Sequence, residues 1–205
     1  MIITDITQQR RKQNRYNLFS EDGFVMSLSD ETIVKNGVKT GIDLSGEQLE
    51  RLRMEDTLKY AKELAAAYVS RGLKTRREVM DYLKRKEIDE LSINEAVSLL
   101  ESYGLIDDEE YAKEFSRIQS QKCGAMMVRQ KLLQKGISPE LAEKYSKENE
   151  QSQHDAARVL FEKYSEKYSG LPEYERNRKI YAALLRRGFS YDEAARMVKG
   201  EDDFD

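Results

Sequence analysis

The feature that most constrains this chain is that it repeats itself. Tyr60-Ala61-Lys62-Glu63-Leu64 returns as Tyr111-Ala112-Lys113-Glu114-Phe115, and more weakly as Ala156-Ala157-Arg158-Val159-Leu160. A second segment recurs in step: Val79 to Ile88, Val128 to Ile137 and Ile180 to Phe189. A third follows each, beginning at Ser92, Ser138 and Ser190. Self-similarity at about fifty residues is the mark of a stacked array, in which each unit buries its apolar face against the next. The expected fold is therefore mainly α, with tandem three-helix repeats in an elongated, curved array. The repeats are placed at 54–106, 107–150 and 151–200, with an acidic tail at 201–205.

Local signals explain where the helices begin and end. Thr75-x-x-Glu78, Ser92-x-x-Glu95 and Ser190-x-x-Glu193 read as capping boxes, and Asp107-x-x-Glu110 as an aspartate-capped relative. Ser138-Pro139 places proline at a first helical position, where its missing N–H costs nothing. Gly72, Gly104, Gly124, Gly136 and Gly188 are assigned to helix ends that need a left-handed residue. Leu58, Ala61, Leu64, Ala65 and Tyr68 share one helical face, as do Tyr111, Ala112, Phe115 and Ile118; such stripes build cores. Only two prolines interrupt the chain.

The first residues, 1–53, read differently. Ile2 to Thr7 and Tyr16 to Ser20 are β-prone runs. Glu21-Asp22-Gly23 forms the loop of a hairpin whose second strand is Phe24 to Leu28. Asp30 to Lys35 reads as a short helix stopped by Asn36-Gly37. Val38 to Leu44 reads as a third strand, and Ser45 as a helix cap. Deleting residues 1–50 is expected to leave the helical array folded but to weaken binding to the protein's partner.

Charge limits the functional classes. Charged residues make up 36% and hydrophobic residues 39%, a polar balance that suits an extended helical protein. The net charge of −3 does not by itself advertise nucleic acid. A single cysteine, Cys123, allows neither an internal disulfide nor a cysteine metal site. No run nears the ~20 apolar residues of a membrane span, and no secretory leader is legible. A cytoplasmic protein with no membrane partner is the expectation.

Catalytic constellations are not found. His154 lies among polar residues at a helix start. Cys123 has no nearby histidine to activate it. Asp107-Asp108-Glu109-Glu110 is better explained by capping and the helix dipole than by a metal. Phosphate-cradling glycine motifs are absent. No cofactor and no enzymatic activity are expected.

Several motifs resemble one family. Gly104-Leu105-Ile106-Asp107-Asp108-Glu109-Glu110-Tyr111-Ala112 is similar to the junction between the first two repeats of the RecX family. Lys135-Gly136 within Leu132 to Ile137 resembles the close of that family's second helix in repeat two. Arg76-Arg77-Glu78 with Tyr82-Leu83 resembles the opening of repeat one. The resemblance covers Met54 to Lys199, and more weakly the N-terminal hairpin. Glu87 departs from it where glycine is common, and Ala125-Met126-Met127 departs where proline and basic residues are common. It marks Gly104, Asp107, Asp108, Tyr111, Ala112, Lys135 and Gly136 as structural motif residues. It implies a monomeric regulator of the RecA recombinase filament on single-stranded DNA, with double-stranded DNA as a further partner. Such a protein would inhibit ATP hydrolysis and strand exchange, or promote filament loss, within homologous recombination, DNA repair and the SOS response.

Basic residues gather around the second helix of each repeat. They are Arg71, Lys74, Arg76, Arg77, Lys84, Arg85 and Lys86 in repeat one; Lys113, Arg117, Lys122, Arg129, Lys131 and Lys135 in repeat two; and Arg176, Arg178, Lys179, Arg186 and Arg187 in repeat three. Singly, each is accounted for by solvated ion pairs, such as Glu78 with Lys84 or Asp81 with Arg85. As sets, they are candidates for nucleic-acid phosphates or an acidic RecA surface. Tyr82, Tyr181 and Phe189 are assigned to core packing, with base stacking as the alternative. Two rival functions stay open: a DNA-binding helical repeat that acts by competing for DNA, and a pure protein–protein scaffold.

Overall fold

A computed structural model describes residues 1–10 and 14–200, so the acidic end at 201–205 lies outside the described residues. The chain divides into two compact units. One holds Met1–Gly72 and Val79–Leu105; the other holds Leu73–Glu78 and the residues from Ile106 on. The protein is mostly helical, with a small N-terminal antiparallel sheet.

In the first unit, β1 (Asp5–Gln8), β2 (Arg15–Ser20) and β3 (Gly23–Ser29) pair in that order. The hairpin is present, but its loop is two residues rather than three, because Ser20 already faces Gly23 in the ladder. Gly23 sits at φ +110, a conformation that side chains resist. The third strand is not Val38 to Leu44. That place is taken by β1, and residue 43 makes only an isolated bridge to Ile2. Strand pairing is a long-range choice that local β-propensity does not reveal. The inward face carries Leu18, Met26 and Leu28, which pack with Ile3, Val38, Leu44 and Leu52. Phe19 and Phe24 meet edge-to-face on the other side.

The helix α1 (Asp30–Lys35) is capped by Ser29. The long α2 (Gly46–Val69) starts with a full Ser45–Gln48 capping box, eight residues before Met54. The compositional change near residue 53 thus falls inside a helix. α2 also carries Leu52 and Asp56, both buried in this unit. Asp56 accepts from Arg15 Nη2 at 2.9 Å, the Ser29 N–H at 2.7 Å and Thr32 Oγ1 at 3.0 Å. The sheet and α2 are therefore one packed body, so the N-terminal segment and the first helix of repeat one share a core.

Three helical sets follow the repeat. The first is α2, α3 (Arg76–Lys84) and α4 (Glu90–Ser102). The second is α5 (Asp108–Ser120), α6 (Ala125–Gln134) and α7 (Pro139–Lys147). The third is α8 (Glu150–Lys167), α9 (Glu173–Arg186) and α10 (Tyr191–Lys199). The first three residues of α3 count with the second unit. Equivalent positions are buried in every set: Ala61, Ala112 and Ala157; Val79, Val128 and Ile180; Leu83, Leu132 and Leu184; Ile88, Ile137 and Phe189. This i, i+4, i+9 pattern keeps one face of each second helix inside and carries the chain over its end.

Most helix caps are where the sequence places them. Asp107 accepts from the N–H groups of Glu109 and Glu110, and Ser138 from that of Leu141. Ser190 and Glu193 complete a reciprocal box, as do Thr75 and Glu78. Two assignments change. Ser92 is not the cap of α4: it lies inside the helix and donates its N–H to Asp89, which is the cap. Counting from Ile88, Ile137 and Phe189, the next residue is the cap in all three sets, so Asp89 is the true partner of Ser138 and Ser190. Gly124 is not a left-handed helix end but the N-cap of α6, at φ −77. Among the apolar stripes, Ile118 is exposed while Ser116 and Ser120 take the buried face of α5. Glu87 holds φ +60 where Gly136 and Gly188 hold +86 and +84, a conformation that costs a side chain about 1–2 kcal/mol.

Candidate nucleic-acid and partner interface

In the second unit, one contact recurs: the starts of α3 and α6 meet the left-handed ends of α6 and α9. At the start of α3, Thr75 Oγ1 donates to the carbonyl of Lys135 at 2.8 Å, and Lys135 Nζ pairs with Glu78. A Cβ on Gly136 would lie 2.5 Å from the Arg77 side chain. At the start of α6, Gly124 N–H donates to the Arg187 carbonyl at 3.0 Å and Met126 N–H to that of Gly188 at 3.1 Å. A Cβ on Gly124 would lie 2.3 Å from the Gly188 carbonyl oxygen, so only glycine permits this backbone approach. Gln153 of α8 ties the same sets together, donating to Ser120 Oγ and the Ser146 carbonyl.

The acidic junction motif is consumed by this architecture. Asp107 caps α5, as above. Asp108 accepts the Arg76 N–H at 2.8 Å, and burial raises its carboxyl above the usual aspartate range. Lys144 Nζ and Tyr145 Oη both donate to Glu109, at 2.8 and 2.7 Å, and hold it below the usual glutamate range. Tyr111 and Ala112 are core. Gly104 supplies a left-handed turn at φ +66. Among the described residues, no group of three His, Cys, Asp or Glu side chains is arranged to hold a metal.

Cys123 is 2% exposed and donates its thiol to the Gln119 carbonyl. Burial pushes that thiol up, away from the thiolate form that a nucleophile needs. His154 is half-buried on α8.

The basic residues separate into paired and open groups. Arg117 pairs with Glu114 at 2.8 Å, Arg129 with Glu143 at 2.7 Å and Lys135 with Glu78. The Glu78 pair is thus long-range rather than the expected local pair with Lys84. Lys131 donates to Gln119 Oε1 at 2.7 Å and lies 4.0 Å from Cys123 Sγ. Lys74 and Arg76 are half-buried in the second unit, and Arg77 is exposed, with its aliphatic stem beside Gly136. In the first unit, Arg71, Lys84 and Arg85 are exposed. Lys86 sits 5.7 Å over Tyr82, which stacks on Tyr68 with centroids 4.3 Å apart. Lys113, Arg178 and Arg186 are exposed, Arg176 is half-buried, and Lys179 lies 5.4 Å over Tyr168. Phe189 is fully buried, and Tyr181 packs partly into the same core.

Two residues from the basic sets meet at one place. Lys122, just after α5, and Arg187, which caps α9, line a groove with Lys163 of α8. Lys163 stands on α8, far in sequence from the basic cluster at Arg176 to Arg187, and only the packing of α8 brings it beside Lys122 and Arg187.

Comparison with known proteins places these features in one lineage. Four family models match along the chain: the RecX N-terminal domain at residues 1–45, and the first, second and third RecX three-helix domains at 61–100, 107–145 and 151–198. A regulatory protein RecX of Clostridium botulinum strain Eklund 17B is 31% identical over 96% of this chain and 94% of its own. One from strain Alaska E43 is 32% identical over the same shares. A crystal structure of a regulatory protein RecX matches 97% of this chain and 98% of its own at 24% identity and a TM-score of 0.72. That of RecX from Lactobacillus salivarius matches 72% of this chain and 98% of its own at 30% identity and a TM-score of 0.67. Among the described residues, no helix is long and apolar enough to cross a membrane. With its N-terminal sheet and three helical sets all matched in order, this chain belongs to the RecX family of regulatory proteins.

Proposed function

We propose that this chain binds RecA filaments on single-stranded DNA and lowers their ATP hydrolysis and strand exchange, with no covalent chemistry of its own. The observation that carries this reading is the unbroken succession of RecX domains along one chain. Tandem helical domains suit the task, because repeats can present extended surfaces to a long partner. The exposed basic residues of α9, with those flanking α3 and α5, supply the groups that would meet phosphates or acidic RecA side chains. Any ATP turnover in a mixture would belong to RecA.

The test is single-stranded-DNA-dependent ATP hydrolysis by RecA, with this protein titrated in well below the RecA concentration. Inhibition at low ratios that survives excess free DNA is the expected result. Inhibition erased by added DNA would favour a second reading, competition for DNA, which the Lys122–Lys163–Arg187 groove also supports.

A further inference from the structure

The groove between the second and third helical sets gathers exposed cations that have no carboxylate partner among the described residues. Its walls are Gln121 and Lys122 after α5, the outer face of α8, and Arg187 at the end of α9; its volume is about 540 Å³. That lies within the range of clefts that hold small ligands or single groups of larger ones. Lys122, Lys163 and Arg187 pair with no carboxylate among the described residues, whereas Arg117, Arg129 and Lys135 are each neutralised by a glutamate. The floor is apolar: Ala156, Leu160 and Val159, the last of them 63% exposed. One acid, Asp155, lines the groove and accepts from Gln151 at 3.1 Å.

We infer that this groove binds a short segment of single-stranded DNA. A phosphodiester strand presents charges along one edge and flat, weakly polar sugar and base faces between them. The three cations take the phosphates, and Val159 and Leu160 take an unstacked sugar or base face. Asp155 offers an acceptor to a base N–H, and the apolar Val159 and Leu160 between the cations suit a flat base face better than a run of carboxylates, which sets a nucleic-acid strand above an acidic peptide. The inference deepens the function proposed above and rests on the reading that the chain works on DNA-bound filaments. It also explains why the third set's first helix leaves Val159 in solvent where the core has no use for it.

The test uses the full chain and fluorescein-labelled oligo(dT), followed by anisotropy across a salt series. The variant K122A/K163A/R187A removes three cations and leaves the Arg187 carbonyl, which the docking needs, in place. Its affinity should fall about tenfold or more, and the slope of log K against log salt should flatten by about 2, at ~0.7 per lost single-strand phosphate contact. V159E, at an exposed position, should weaken binding without unfolding the chain, as checked by circular dichroism. The matched control K39A/R51A/R53A removes three exposed cations of the first unit and should keep the wild-type slope. Equal losses in both triple variants, or unchanged oligo(dT) binding in the groove variant, would overturn the assignment. So would a groove variant that keeps its DNA affinity but no longer binds RecA in the absence of DNA, since the groove would then serve an acidic protein surface. The RecA ATPase titration with wild-type protein is run alongside. Loss of groove-dependent DNA binding with no effect on RecA would leave the site standing and remove the filament reading.

Discussion

Replacing Asp56 with alanine should unlock the N-terminal sheet from α2. The Asp56 carboxylate is 5% exposed and serves three donors: the Arg15 guanidinium, the Ser29 N–H and the Thr32 hydroxyl. Arg15 also reaches the Ser27 carbonyl and lies 5.9 Å over the Tyr60 ring, so the pair joins two strands to the helix. Removing one partner of a fully buried pair costs about 3–5 kcal/mol; here Arg15 is 23% exposed and keeps the Ser27 carbonyl, so the loss lies at the lower end. The orphaned Ser29 N–H and Thr32 hydroxyl act in the same direction, for about 3 kcal/mol in all. At a urea dependence of about 2 kcal/mol per molar, the transition of this unit should fall by about 1.5 M. Hydrogen exchange followed by mass spectrometry should place the loss in Arg15 to Ser29 and the middle of α2. D56N keeps an acceptor for Ser29 and should cost about half as much. In a double-mutant cycle with R15A, the two losses should be strongly non-additive. A midpoint shift below ~0.3 M for D56A would refute the reasoning, since it would mean that the three donors find other partners cheaply.

The remaining predictions concern the second unit. G124A should destabilise it by about 3 kcal/mol, from a steric clash with the Gly188 carbonyl on which the helix ends dock. G170A, with open space around it and no left-handed backbone, should be neutral in the same thermal melt. S116A should be neutral or stabilising by up to ~1 kcal/mol: Ser116 Oγ is buried without a hydrogen-bond partner among the described residues, and the equivalent Ala65 is alanine already. D108N should change the pH dependence of stability. Burial raises the folded pKa of Asp108 above its unfolded value, so its stabilising contribution is present below the unfolded value and lost as pH rises through the folded one. Melting curves of D108N should therefore lack that decline, and an unchanged difference from wild type across the acid range would contradict the assignment.

Much of the helical framework was legible because its signals are local. The Ser45, Asp107, Ser138 and Ser190 caps and the recurring buried Ala61, Val79, Leu83 and their counterparts all follow from spacings of three and four along one chain. The error at Ser92 arose from two nearby residues that can both cap; Asp89 wins because the buried Ile88 fixes where the helix must begin. The error at Val38 to Leu44 arose because β-propensity does not say which strand pairs with which. The candidate site was legible only as a list of charges. Which cations are neutralised depends on partners far apart in sequence, as with Lys135 and Glu78 or Arg129 and Glu143.

The sequence by itself determined the periodicity, the helix ends and the inward positions, because a helix's amphipathic face and caps are set within about one turn. Tertiary structure alone decided that Gly124 meets the Gly188 carbonyl, that Asp56 fastens a sheet to a helix, and that Lys163 joins Lys122 and Arg187 around one groove. Each of these joins residues from separate elements, and only close packing of those elements sets the distance between them.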